Sequence, residues 1–195
     1  KRIHNISMKR LIKGLGKNSP KGYDVIYAER QKKAVDEFDV RRWEYLAKDF
    51  KGKSLLDAGC LDSKVIEFAY KKNKKAEYWG IDIAEDAVKD MQIKYPFAYY
   101  MKNDIYNTDF SNGYFDYVVM GEVLEHLDDP IKAVDEMFRV LKRGGTLAIS
   151  TPLDEAIEPG ACDLDRHVWS FNEDDLIGIC GQYGSVKVKV LRSTK

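Results

Sequence analysis

Apolar residues recur along this chain with two periods, and from about residue 54 onward the periods alternate. The apolar runs "SLLDAG", "AEYWGIDI", "FAYYMKNDI", "FDYVVMGEV" and "TLAIST" predict strands. Between them "KVIEFAYKKNKK", "AEDAVKDMQIKY" and "DPIKAVDEMFRVLKRGG" carry apolar residues at helical spacing. The punctuation agrees. The first helix ends in lysines, which suits the negative end of its dipole. Pro96 stops the second, and Asp129 with Pro130 starts the third as cap and first residue. Ser111, Asn112 and Gly113 are turn residues ahead of the fourth strand. After the fifth strand, "NEDDLIGICGQYG" predicts another helix and the strictly alternating "SVKVKVLR" a last strand. Upstream, residues 23–50 read as helical, with Val35, Phe38, Trp43, Leu46 and Ala47 on an inner face and Gly52 closing the segment.

Strands alternating with helices imply parallel strands joined by helical crossovers, hence an α/β fold with helices on both sheet faces. In open sheets of this kind ligands bind beyond the carboxyl ends of the strands. Polar groups collect there: Asp57, Asp82, Asp104 and the pair Gly121–Glu122. Asp82 follows Asp57 by 25 residues. A carboxylate at about that distance accepts both hydroxyls of a ribose. Asp104 and Ile105 would then face the base, the carboxylate accepting from an amine and the backbone N–H donating to a ring nitrogen. A phosphate is not provided for. The turn after the first strand has Gly59, but Leu61 and Ser63 stand where a dinucleotide loop has its further glycines, and the acids would repel a pyrophosphate.

Charge divides the chain. Residues 1–21 contain seven Lys or Arg and no acid, while the remainder has 25 basic and 32 acidic residues, a balance of −7. Met8, Leu11, Ile12 and Leu15 give the basic segment an apolar side, broken by Gly14, Gly16 and Pro20. It is read as a tail or flap, 1–21, ahead of one domain, 22–195. "GLGKNS" lacks the earlier glycine of a phosphate loop. An acidic body gives no strong case for nucleic acid. No apolar run reaches the roughly 20 residues of a transmembrane segment. Cys60, Cys162 and Cys180 form no CxxC pair, which points to a reducing compartment, the cytoplasm. The three histidines, His4, His126 and His167, lack metal-ligand spacing, so no metal is expected.

The blocks "LLDAGC", "YWGIDIAEDAV", "NDIYNTDFSNGYFDYVVMGEVLEHLDDP" and "FRVLKRGGTLAISTP" resemble, in order and spacing, the class I S-adenosylmethionine-dependent methyltransferases, in the small-molecule branch that includes the ubiquinone-biosynthesis-type enzymes. The match runs from Ser54 to Pro152, and "HVWSFNEDDL" extends it. The resemblance implies a Rossmann-like, doubly wound sheet. It also implies S-adenosylmethionine as cofactor, a ligand with no phosphate, which answers the missing glycines. By the same resemblance Asp57, Ala58, Gly59, Cys60 and Leu61 wrap the methionine end. Asp82 takes the ribose and Ile83 the adenine face, Asp104 and Ile105 hold the adenine edge, and Met120 and Gly121 meet the amino group by main chain. Tyr23, Tyr27 and Arg30 approach the carboxylate or the sulfonium. Ser63 is placed to cap the next helix. Cys60, beside Asp57 and Asp62, is read as a lining residue rather than a nucleophile.

The implied activity is methyl transfer by in-line displacement to an oxygen or nitrogen of a small-molecule or saccharide-like acceptor. His126 is the candidate general base. His167, in a segment that roofs the acceptor pocket in the resembling family, is a second candidate, with Trp169 beside it. The alternatives are a non-catalytic binding or partner subunit and, more remotely, a nicotinamide-dependent oxidoreductase. The family's sheet has two more strands after its fifth, whereas one is legible here. The last strand is therefore expected to be missing or truncated, leaving an edge for self-association.

Overall fold

In the computed structural model residues 8–10, 23–25, 27–28, 32, 34–154 and 167–192 are described. Five strands form one sheet: β2 (Ser54–Ala58), β3 (Glu77–Asp82), β4 (Tyr99–Lys102), β5 (Phe115–Gly121) and β6 (Leu141–Ser150). Their order is β4-β3-β2-β5-β6 and every pairing is parallel. A separate two-stranded pair joins β1 (Lys9–Arg10), inside the basic segment, to β7 (Trp169–Ser170). Residues 23–25 and 27–28 are helical, and the longer helices among the described residues are α1 (Glu37–Ala47), α2 (Lys64–Lys72), α3 (Glu85–Lys94), α4 (Pro130–Val140) and α5 (Glu173–Gly181).

The central strand explains the layering. All five residues of β2 are buried, as a parallel strand covered on both faces must be. Successive side chains alternate between faces. Leu55, with Tyr78, Tyr100 and Tyr117, packs against α1, α2 and α3 through Trp43, Leu46, Ile66, Ala69 and Met91. Leu56, with Ile81, Val118 and Met120, packs against α4 and α5 through Val134, Met137, Val140 and Ile179. The expected α/β sheet with two helical layers is thus present. At its lower end Asp116 accepts from the backbone N–H groups of Lys53 (2.7 Å) and Ser54 (3.0 Å), so the acid in "FDYVV" fastens β2 to β5.

The caps read from sequence are present at α4, where Asp129 accepts from the Lys132 N–H at 3.0 Å. Asn172 and Asp175 form a reciprocal capping box on α5. Four expectations are corrected. The helix predicted to run through "LKR", with the glycines after its end, stops at Val140, and β6 begins at Leu141 opposite Phe115. Gly144 (φ 81°) and Gly145, where a Cβ would lie 2.9 Å from the Asp116 carbonyl oxygen, stand at the irregularity where the β5–β6 register shifts. The helix predicted over 23–50 is interrupted: residues 34–36 are non-helical, Asp36 caps α1, and Val35 is 52% exposed rather than on an inner face. Ser63 occupies the N-cap position of α2, but at φ 51° its side chain makes no capping bond. The segment "SVKVKVLR" alternates as a strand should, yet residues 185–192 pair with no strand among the described residues. Alternation supplies a face, and only a partner ladder makes a strand. Among the described residues no helix is long and apolar enough to cross a membrane.

Candidate active site

A cleft opens at the carboxyl ends of β2, β3 and β5 and the turn after β4, where the sequence placed its acids. The loop after β2 forms its floor. The Gly59 N–H donates to the Ile81 carbonyl at 2.8 Å, and the Cys60 N–H to the same oxygen at 3.0 Å. Gly59 has φ 77°, and a Cβ there would stand 2.4 Å from Val123 Cγ2. Both conformation and space therefore require glycine. Leu61 (φ 27°) and Ser63 (φ 51°) keep positive φ values despite their side chains.

Asp82, 8% exposed, ends β3 and clamps this loop. Its Oδ2 accepts from the Leu61 N–H at 3.0 Å and its Oδ1 from the Ala84 N–H at 2.9 Å. Burial raises its pKa, and the N–H groups of Ala84, Leu61 and Ile83 oppose the rise. Asp57 is more extreme. Burial, then the nearby Asp62 and Asp82 carboxylates, push it from 3.8 up to about 8. Burial first, then Asp82 and Asp57, hold the Cys60 thiol well above its ordinary value, consistent with a lining role.

Of the residues nominated from sequence, Asp57, Gly59, Cys60, Leu61, Asp82, Ile83, Asp104, Ile105, Gly121, Tyr23 and His126 line the cleft. Asp104 is exposed two residues past β4, its Oδ1 accepting the Tyr106 N–H at 2.9 Å. Ala58 and Met120 are fully buried in the core beneath. Tyr27 is buried and donates its hydroxyl to Asp90 on α3 at 3.0 Å, so it anchors the N-terminal segment. Arg30 lies outside the described residues. His167 stands beside His126, ring centroids 4.8 Å apart.

Sequence reasoning missed Arg42, placed Trp43 only on an inner helix face and named Glu122 only among the strand-end groups; all three line the cleft. Arg42 projects from α1, 9% exposed. Its Nη1 meets Glu122 Oε2 at 2.8 Å and its Nη2 meets Asp39 Oδ1 at 2.8 Å. Its Nε is buried with no hydrogen-bond partner among the described residues. Position 42 adjoins Trp43 and precedes Leu46 by four, so helical spacing placed it inward. The run of charges in "DVRRWE" hid it.

The cleft thus offers carboxylates to hydroxyls, a guanidinium in its wall, and a close backbone approach at Gly59. That set fits a ligand with a ribose, a base and an amino-acid end, which is what S-adenosylmethionine has. Residues 56–149 match the family described as methyltransferase domain. A probable S-adenosylmethionine-dependent methyltransferase of Mycolicibacterium smegmatis is 29% identical over 118 residues, 60% of this chain and 45% of its own length. A ubiquinone biosynthesis O-methyltransferase of Alkalilimnicola ehrlichii is 27% identical over 129 residues, 61% of this chain and 51% of its own. This chain therefore spans about half the length of these curated relatives. A methyltransferase structure from Aquifex aeolicus superposes with a TM-score of 0.63 at 19% identity, covering 83% of this chain and 87% of that one.

Proposed function

Because the chain belongs to the class I S-adenosylmethionine-dependent methyltransferases, we propose that it methylates an oxygen or nitrogen nucleophile on a small-molecule or saccharide-like acceptor. The observation that carries this reading is the row of Asp57, Asp82 and Asp104 along neighbouring strand ends, with Gly59 allowing close approach between the first two. When bound, S-adenosylmethionine supplies a methyl group on a sulfonium, whose carbon–sulfur bond breaks as the acceptor bond forms, leaving a neutral thioether and a proton lost from the acceptor.

The protein's part is to hold two reactants in line and keep water out. Asp82 takes the ribose hydroxyls, with Ile83 against the adenine face and Asp104 and Ile105 at its edge. Asp57 and the main chain of Gly121 face the amino group, and Arg42 and Tyr23 the carboxylate. His126 and His167 stand at the acceptor end. An oxidoreductase reading is disfavoured, since a pyrophosphate on this loop would meet Asp57, Asp62 and Asp82. The free thiols of Cys60 and Cys180 suit the cytoplasm, and the edge position of β6 among the described strands suits self-association.

Titration calorimetry with S-adenosylhomocysteine tests the cofactor half, and transfer of a labelled methyl group into a metabolite extract tests the acceptor half. Binding without any transfer would favour the non-catalytic partner. No binding at all would refute the reading.

A further inference from the structure

Beside the acceptor end lies a group of side chains that in-line displacement does not itself require. Glu125, in the single 3₁₀ turn after β5, is 1% exposed. Its Oε2 accepts from the Thr151 hydroxyl at 3.0 Å. Its Oε1 faces His126 Nε2 at 3.9 Å and His167 Nε2 at 4.0 Å. One ligand atom from each of the three residues lies within 4.8 Å of the others. Two segments far apart in sequence are laced together to bring this about. The Val168 N–H donates to the Glu125 carbonyl at 2.6 Å, and the Trp169 indole N–H to the Leu127 carbonyl at 2.7 Å.

We propose that Glu125, His126 and His167 bind one divalent cation of the borderline class, of which zinc and cobalt are the test ions. Both Nε2–Oε1 separations exceed a hydrogen bond. They are about half an ångström wider than the roughly 3.4 Å between ligand atoms around a tetrahedral ion with bonds near 2.1 Å. The widest separation in the set reaches 4.8 Å, about 1.4 Å beyond that spacing; imidazole χ2 is a broad torsion, and ring rotation is what would draw the three atoms together. Two imidazoles and one carboxylate suit zinc-like ions, whereas magnesium and calcium favour oxygen-only sets. Glu122 is excluded from the set, because Arg42 and the Ser150 hydroxyl (2.8 Å) already hold its carboxylate. Thr151 orients the buried ligand from behind, as outer partners of metal ligands do.

Three protein ligands leave a position free for a small molecule. His126 lines the cleft, so an acceptor oxygen entering there reaches that position. This second statement rests on the methyl-transfer reading, whereas cation binding does not.

The test uses the full 195-residue chain, stripped with a chelator and shown folded by circular dichroism. Cobalt(II) is titrated in while the visible d–d bands are followed, and zinc is titrated by calorimetry. One equivalent is expected to bind. The bands are expected to be lost in His126→Ala and in His167→Ala, and Thr151→Val to weaken binding about 10–100-fold while keeping S-adenosylhomocysteine binding. A folded chain with no saturable cobalt or zinc binding overturns the site, whatever it does with S-adenosylhomocysteine. So does binding that is unchanged in both histidine variants, since the ion then sits elsewhere. Failure of the methyltransferase reading would instead appear as lost S-adenosylhomocysteine binding with cobalt binding intact.

Discussion

With Asp57 placed beside the cofactor's amino group, as proposed, cofactor affinity should depend on pH. Asp57 is buried, 4% exposed, at the wall of the cleft, and burial together with Asp62 and Asp82 raises its pKa to about 8. The empty protein at pH 7 therefore holds Asp57 mostly protonated. The raised acid binds its proton more tightly folded than unfolded. It therefore contributes stability that is fully present below the ordinary value of 3.8 and is lost as pH rises toward 8. A cationic amino group placed against it reverses the balance, so binding should expel the proton. The cost of ionising Asp57 is about 1.4 kcal/mol at pH 7 and roughly twice that at pH 6, since each unit is about 1.4 kcal/mol. Affinity for S-adenosylmethionine should consequently rise about tenfold from pH 6 to pH 7. This window keeps the ligand's own amine charged, its group having a pKa of roughly 7.7–8.0. Calorimetry in buffers of different ionisation enthalpy should count about one proton released at pH 6–7, and Asp57→Asn should flatten the dependence. Equal wild-type affinity at pH 6 and 7, with no proton release, would refute the placement of Asp57 beside the amino group.

Asp82→Ala should weaken the cofactor by about 1.5–3 kcal/mol, roughly ten- to 150-fold; wild-type affinity by calorimetry would end the ribose assignment. Gly59→Ala, whose Cβ would stand 2.4 Å from Val123 at φ 77°, should lower cofactor affinity at least about tenfold, and Val123→Ala should restore only part of it, because the backbone strain remains. Ser63→Gly should raise thermal stability slightly, since φ 51° costs a side chain about 1–2 kcal/mol and the unfolded glycine takes back about 0.4–1; a clear fall in melting temperature would mean the Ser63 side chain contributes more than its conformation costs.

The sheet was legible because burial on both faces writes continuous apolar runs, and β2 and β5 are such runs. The crevice was legible because parallel strands bring every carboxyl end to one side, so Asp57, Asp82 and Asp104 had to be neighbours. What failed to read was local or long-range. "LKR" continues the helical spacing, and only the pairing of Leu141 with Phe115 and the close approach of Gly145 to Asp116 show why it is strand instead. Arg42 looked like a surface charge until α1 was docked over the cleft. His126 and His167 are 41 residues apart and carry no motif spacing, so their meeting at Glu125 depends on the Val168 and Trp169 bonds, which no local pattern encodes.

The loss of two glycines from the loop after β2 is a change of sequence more than of shape. Leu61 and Ser63 hold φ values of 27° and 51°, in the region glycine adopts without strain. Something must keep them there, because strained residues persist only where their surroundings over-determine them. Asp82 provides part of it, accepting the Leu61 N–H, and the Cys60 carbonyl accepts the N–H of Ser63. A loop pinned this way holds its backbone at positive φ while Leu61 lines the cleft and Ser63 is buried. The carboxylate proposed to take the ribose is thus also the one that sets the turn proposed to lie beneath the methionine end. On that reading loop shape and ligand recognition are coupled through one buried acid, and a substitution at Asp82 should disturb both ends of the cofactor together.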